Sequence, residues 1–295
     1  MKQAAGILTG VLLVLQFACN DATTTTPQTA TQEKIKVENQ GVHIDYDASK
    51  YGDTTLLFIH GWGINRTYWT NQASHFVPGL NYRVVMLDLP GFGQSGKNRK
   101  SWTIENYAAD ISALIKALDL KNVILIGHSM SGAIIVETAL TNPGRVIGIV
   151  GVDNFKNVGY VLTPERKKEA DKFYEAFRTH YTELVMRYMD KELFAPSTDS
   201  LIHQEVINDI LHSDSTIAVD ILAHADSFPL AAKLASLKKR LYLINSSYTP
   251  TDTAALRKGG IDYALYDMGP TGHYPMVEKP ALFNSLLQEI IYCIK

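Results

Sequence analysis

Six short, β-branched apolar runs constrain this chain more than any other feature: Thr54 to Ile59, Tyr82 to Leu87, Asn122 to Ile126, Val146 to Val152, Arg240 to Ile244 and Asp262 to Tyr266. Each has the length of a strand and is largely apolar, which predicts parallel strands covered on both faces. Helical patterns lie between them. The clearest spans Thr103 to Leu120, where Ile104, Tyr107, Ala108, Ile111, Leu114, Ile115 and Leu118 recur at helical spacing behind a Thr103 N-cap. Strands that alternate with helices predict a doubly wound α/β sheet. Lys34 to Glu38 and Val42 to Tyr46 alternate apolar and polar residues around Asn39-Gln40-Gly41, the pattern of an antiparallel hairpin at the sheet edge.

One interval breaks the rhythm. After Val152, about 85 residues pass before the next strand run, far beyond an ordinary connection. Residues 154–238 are therefore predicted to form an inserted helical cap on a core made of 33–153 and 239–295. Phe173, Tyr174, Phe177, Tyr181, Leu184, Val185, Tyr188 and Met189 repeat at helical spacing within it. Most of such a stripe packs against the core, and a subset, with Phe173 and Phe177 as candidates, is expected to roof a site.

The N-terminus is set apart from the fold. Met1-Lys2 leads into an apolar stretch, Ile7 to Ala18, that is too short for a membrane span and ends at Cys19. Residues 1–18 read as an export signal of the bacterial lipoprotein type, with Cys19 as the lipidated residue; a plain secretory signal is the alternative. Residues 19–32 are Thr-rich and nearly free of apolar side chains, a composition that cannot bury a core and suits a flexible tether. The expected location is the cell envelope, reached by export and held by the lipid. The formal net charge is −2 and the charges are interspersed, so no basic stripe predicts nucleic-acid binding. The only other cysteine is Cys293, and the fold is not expected to rely on disulfides.

Chemistry concentrates at strand ends. Gly127-His128-Ser129-Met130-Ser131-Gly132 joins an apolar strand to a helix. A serine at such a sharp junction has a strained backbone, an Oγ raised above the sheet edge, and the next N–H and the helix dipole aimed at a developing oxyanion. Ser129 is thus a candidate nucleophile. The loop His60-Gly61-Trp62-Gly63 can supply a second backbone donor, so Trp62 and Met130 are the oxyanion-hole candidates. A general base near working pH must come from a loop that reaches the serine, which selects His273 in Gly272-His273-Tyr274-Pro275-Met276. His60 and His128 are expected to be buried structural residues. His203, His212 and His224 lack metal-site spacing, so neither a metal nor a cofactor is expected.

Together, Phe-Ile-His-Gly-Trp-Gly at 58–63, Leu-Asp-Leu-Pro-Gly-Phe-Gly-Gln-Ser-Gly at 87–96, Gly-His-Ser-Met-Ser-Gly at 127–132 and Gly-His-Tyr-Pro-Met at 272–276 resemble the α/β-hydrolase superfamily from Glu33 to the C-terminus. The resemblance implies an eight-stranded, mostly parallel sheet. It also implies a triad in the chain order Ser129, acid, His273, and hydrolysis of an ester or related acyl bond through an acyl-enzyme. The chain departs from the pattern twice: Ser131 stands where the elbow usually has glycine, and Thr249 stands where the acid commonly lies. The superfamily's other acid position corresponds to Asp153, which is the favoured candidate; Asp252, three residues past the usual slot, is the alternative. Asp88 is expected to order its own turn.

The serine argues against relatives that use an aspartate nucleophile, such as epoxide hydrolases and haloalkane dehalogenases. Trp62, Trp69 and the aromatic cap favour a small to medium, largely apolar acyl substrate, be it ester, lactone or thioester. Two alternatives stay open: a carbon–carbon bond hydrolase, and a slow-turnover or non-catalytic ligand receptor on the same fold.

Overall fold

The computed structural model describes residues 34–50, 52–78 and 81–295. The expected export signal, Cys19 and the tether lie outside the described residues. Nine strands occur among those described: β1 (Val37–Asn39), β2 (Val42–Ile44), β3 (Tyr46–Ala48), β4 (Thr54–Ile59), β5 (Tyr82–Leu87), β6 (Val123–His128), β7 (Val146–Val152), β8 (Leu241–Asn245) and β9 (Tyr263–Asp267). Seven form one sheet in the order β3-β5-β4-β6-β7-β8-β9, parallel throughout except for the antiparallel edge strand β3.

The eighth strand implied by the resemblance does not join this sheet. β1 and β2 pair with each other in a separate two-stranded ribbon, with Val37 opposite Ile44 and Asn39 opposite Val42. The reason is local. The turn at Gln40 and Gly41, both at positive φ, closes the hairpin, and the chain passes from Ile44 straight into β3, whose Tyr46 pairs with Leu87 at the edge of β5. The hairpin expected from the sequence is present, but it is a ribbon beside the sheet.

Strands β4, β6 and β8 are buried along their whole length, as continuous apolar runs between two helical layers must be. The helix Ile104–Ala117 begins where expected, with Thr103 Oγ1 accepting the Asn106 N–H at 3.2 Å. β4 pairs with β5 on one side and β6 on the other, so the chain reverses its direction of travel across the sheet between β4 and β6. Open α/β sheets leave a crevice above the carboxyl ends of the strands at such a switch point.

The interval between β7 and β8 holds seven helical segments: Pro164–Thr179, Tyr181–Leu184, a π-helical turn at Val185–Met189, Asp190–Leu193, Ser200–His212, Ser215–Ser227 and Leu230–Ser236. Within the aromatic stripe, Tyr174, Phe177, Tyr181 and Val185 are buried, whereas Phe173 and Tyr188 are partly exposed.

Trp69, a candidate substrate contact from sequence, is instead a core residue. It ends a short 3₁₀ turn, Arg66–Trp69, and is fully buried, its ring 5.1 Å from Phe58 of β4 and 6.1 Å from Phe283 of the C-terminal helix Pro280–Ile294. Packed on both sides, it has no surface left for a ligand. Trp69→Ala should therefore cost about 3–5 kcal/mol of unfolding free energy. Urea denaturation checks this, and a loss below about 1 kcal/mol, within the range of surface changes, would contradict the core placement.

Candidate active site

The sheet ladder itself delivers two of the site residues. Ser129 follows β6 and donates its backbone N–H to Val152 O at 2.9 Å; Asp153 follows β7 and donates its own to Ile244 O at 3.0 Å. Each side chain is thus carried to the same sheet edge by one more rung of hydrogen bonding. Immediately beyond the rung the chain must turn, and both residues take left-handed backbone conformations, with φ of 53° at Ser129 and 47° at Asp153. Non-glycine residues adopt this region only under constraint, at a cost of order 1–3 kcal/mol each. The helix Ser131–Thr141 starts directly after the Ser129 turn.

His273 completes the array. Its Nδ1 lies 2.6 Å from Asp153 Oδ2 and its Nε2 lies 2.7 Å from Ser129 Oγ. An ionised carboxylate can only accept, so Nδ1 carries the hydrogen and donates to Asp153, which leaves Nε2 to accept from the serine hydroxyl. Burial acts to raise the Asp153 pKa, but the hydrogen bond and charge of His273, together with the Lys156 ammonium, outweigh it and hold the carboxyl below its ordinary value. Such an array can draw the proton from Ser129 Oγ and stabilise the imidazolium that results.

The loop bearing His273 is fixed on every side. Glu278 accepts the backbone N–H groups of Gly272 and Tyr274 at 2.9 and 3.2 Å, and the Thr198 hydroxyl of the cap at 2.9 Å. The His273 N–H donates to Leu193 O of the cap at 2.7 Å. His128, within β6, donates from Nε2 to the His273 carbonyl at 2.7 Å. Burial and the neighbouring His273 lower the His128 pKa to about 3, so it is neutral in this role.

The Gly61 loop packs against the elbow. A Cβ at Gly61 would stand 2.4 Å from His128 Nδ1 and 3.2 Å from Ser129 Cβ, so only glycine lets the loop approach this closely. His60 accepts the Leu89 N–H at Nε2 and donates from Nδ1 to Gly61 O; burial lowers its pKa too. Ser131, the departure from an elbow glycine, is fully buried and donates its hydroxyl to His60 O, which ties the elbow to this loop. The backbone N–H groups of Trp62 and Met130 donate to no acceptor among the described residues. The Trp62 side chain is engaged with the cap, its indole N–H donating to Ala218 O in the helix Ser215–Ser227 at 2.7 Å and its ring lying 6.0 Å from Phe177 and 6.3 Å from Tyr181. Phe173 is 38% exposed, and its ring neighbours are the cap residues Tyr174, Phe177 and Tyr188.

Asp252 is not brought to His273. It is exposed and caps the helix Thr253–Lys258, accepting the Ala255 N–H at 2.9 Å. Asp88 is buried and accepts from the Arg66 and Gln94 N–H groups and from the Arg66 guanidinium, ordering its turn. Three residues escaped sequence reasoning. Glu278 stands five positions after His273 in an ordinary helix start, and Lys156 and Asn154 sit in the strand-to-cap turn. Asn154 donates to Gly127 O at 2.8 Å, and the available sequence signal was proximity, Lys156 standing three positions after Asp153. Among the described residues, no group of three or more His, Cys, Asp or Glu side chains is arranged to hold a metal ion.

The family model described as the alpha/beta hydrolase fold matches residues 54–197, which include β4 to β7 with the Gly61 loop, Ser129 and Asp153. The chain belongs to the α/β-hydrolase superfamily. Among curated proteins, this α/β-hydrolase is similar to the 2-hydroxy-6-oxononadienedioate/2-hydroxy-6-oxononatrienedioate hydrolase of Escherichia coli O139:H28, at 27% identity over 277 residues, covering 88% of this chain and 96% of that protein. Among solved structures it is similar to a thermophilic esterase from Thermogutta terrifontis, with a TM-score of 0.75 at 20% identity over 88% of this chain and 97% of that one. An N-acyl homoserine lactone degrading enzyme, Est816, gives 0.71 at 24% identity over 86% and 99%.

The two buried histidines make the stability of this α/β-hydrolase depend on pH. Their folded-state pKa values lie below the ordinary 6.5, so an unfolded chain takes up protons that the folded one excludes. Their contribution is fully present above pH 6.5 and is lost as the pH falls toward the folded values, about 3 for His128. Unfolding free energy from urea titrations should thus decline below pH 6.5, by up to about 1.4 kcal/mol per unit for each histidine. His128→Gln should remove about one proton's worth of that slope; an unchanged slope would mean that His128 protonates within the fold.

Proposed function

We propose that this α/β-hydrolase is a serine hydrolase that cleaves a small to medium, largely apolar ester, lactone or thioester through an acyl-enzyme. The observation that carries the reading is the continuous hydrogen-bond chain from Ser129 Oγ through His273 to a buried, ionised Asp153. In this reading His273 Nε2 takes the serine proton as Oγ attacks the substrate carbonyl. Asp153 holds the tautomer and stabilises the imidazolium, and the N–H groups of Trp62 and Met130 receive the oxyanion. Collapse of the tetrahedral intermediate transfers the proton from His273 to the leaving group. A water activated by the same nitrogen then releases the acyl group and regenerates Ser129. Trp62, Phe177 and Tyr181 make the base of the cap aromatic and apolar, which favours an apolar substrate portion.

A second reading is hydrolysis of a carbon–carbon bond beside a ketone, favoured by the similarity over 96% of the length of the Escherichia coli protein. The name of that relative's substrate specifies a dicarboxylate with 2-hydroxy and 6-oxo groups.

Purified protein assayed on p-nitrophenyl esters of short and medium chains and, in parallel, on 2-hydroxy-6-oxononadienedioate separates the two. The expected outcome is turnover of the esters with at most trace cleavage of the dioate; the reverse preference would replace the ester reading with the second. Ser129→Ala should lower kcat by about 10⁶-fold and Asp153→Asn by about 10⁴-fold. Asp252→Asn should leave turnover unchanged. If Asp252→Asn instead matched the loss from Asp153→Asn, the acid would be misassigned.

A further inference from the structure

Asp153 has two carboxylate oxygens, and His273 engages only Oδ2. The other, Oδ1, accepts the Ser246 N–H at 2.8 Å and lies 2.7 Å from Lys156 Nζ, an ion pair made three residues along the same turn. Lys156 is itself largely buried, with 12% of its side chain exposed, and its backbone carbonyl accepts the Asp252 N–H at 2.9 Å. The ammonium also donates to Ser246 O at 3.4 Å, so it lies between Asp153 and the residue that follows β8.

We propose that Lys156 is a positioning residue of the site, whose ammonium sits on the Asp153 oxygen that His273 does not engage and so tempers the pull of that carboxylate on the His273 imidazole. This rests on the reading of Ser129, His273 and Asp153 as the catalytic triad.

The physical consequence has a definite sign. When His273 is protonated, its imidazolium faces an Asp153 carboxylate whose charge Lys156 has already partly neutralised. A cation beside the acid thus weakens the pull of the carboxylate on a second cation at the histidine, and removing the ammonium would strengthen that pull. Other groups also face this pair. His128 of β6, whose ring centroid is 4.8 Å from that of His273, is neutral. Tyr274 is buried and neutral, its phenol pKa pushed up by burial. Glu278 spends its carboxylate on the N–H groups of the His273 loop and on Thr198. Glu192, from the cap, lines with Lys156, Asp153, Tyr248 and His273 a cavity of about 210 Å³, and its carboxylate is placed to offset the ammonium in part.

Two measurements test this. The first is the pH dependence of kcat/KM on p-nitrophenyl acetate for the unmutated protein, Lys156→Met, Lys156→Gln and Lys156→Arg. The second is an NMR titration of the His273 imidazole, assigned with His273→Asn, in the Ser129→Ala background with and without Lys156→Gln. Loss of the charge should move the acid limb, and the imidazole midpoint, upward by about one pH unit. Lys156→Gln, which keeps a donor for Oδ1, should shift it as Lys156→Met does, and Lys156→Arg should restore the original limb. A rate lowered equally at every pH with no shift would assign Lys156 a merely structural role and overturn the inference. So would a limb that moves in Lys156→Met but not in Lys156→Gln. If the protein hydrolyses no ester yet the imidazole midpoint shifts, the proposed function fails and the Lys156 coupling stands; turnover without a shift sinks the coupling alone.

Discussion

The parallel ladder runs one residue beyond its regular strands, and the Ser129–His273–Asp153 array hangs on those two extra rungs. The N–H of Ser129 meets Val152 O and the N–H of Asp153 meets Ile244 O, so the ends of β6, β7 and β8 are locked in register where the side chains emerge. A shift of one residue would turn each side chain to the opposite face of the sheet. Strands buried along all or nearly all of their length, with apolar neighbours above and below, leave no alternative register of comparable burial.

Beyond the ladder the chain is strained, and the surrounding polar contacts hold it there. Ser129 and Asp153 both sit at positive φ, a conformation that persists only where neighbouring structure over-determines it. Here the constraints are specific. Asn154 donates to Gly127 O, and Ser131 donates to His60 O. Asn245 donates to Asn154 O at 2.8 Å, and Ser246 closes on Asp153 Oδ1. These contacts cross from strand end to strand end, so the turn conformations are properties of the assembled sheet edge. The same network explains why serine is accepted at 131: its hydroxyl has a buried acceptor waiting, and the small side chain leaves the strand-to-helix approach open.

The cap is joined to the core at the site itself. Leu193 O receives the His273 N–H, Thr198 shares Glu278 with the His273 loop, and the Trp62 indole reaches Ala218 O. Displacing the cap as a rigid body would break hydrogen bonds to the histidine loop and to the Gly61 loop together. The position of His273 and that of the cap are consequently coupled, and large cap motions would disturb the array that the cap covers.

Much was legible from residues alone, because local chemistry decides it. Buried parallel strands need apolar β-branched runs, a strand-to-helix serine needs small neighbours, and a loop pressed against that serine needs the glycine at 61. Thr103 and Asp252 could be read as caps from their position before helical patterns. Other features depended on distances across the fold. Trp69 has the composition of a pocket residue, and only its packing between Phe58 and Phe283 makes it core. Phe173 shares the period of Phe177, yet helix placement exposes one and buries the other. β1 and β2 carry the alternation of sheet strands but pair with each other. Glu278 and Lys156 resemble ordinary surface charges until the chain brings one to the His273 loop and the other to Asp153. Residue order was enough for the succession of strands and helices, the elbow, and the identity of the serine and histidine, since these follow from spacing along one element. Which aspartate meets the histidine, and what stands behind it, came from the assembled fold, because a partner 120 residues away is selected by where strands end in space.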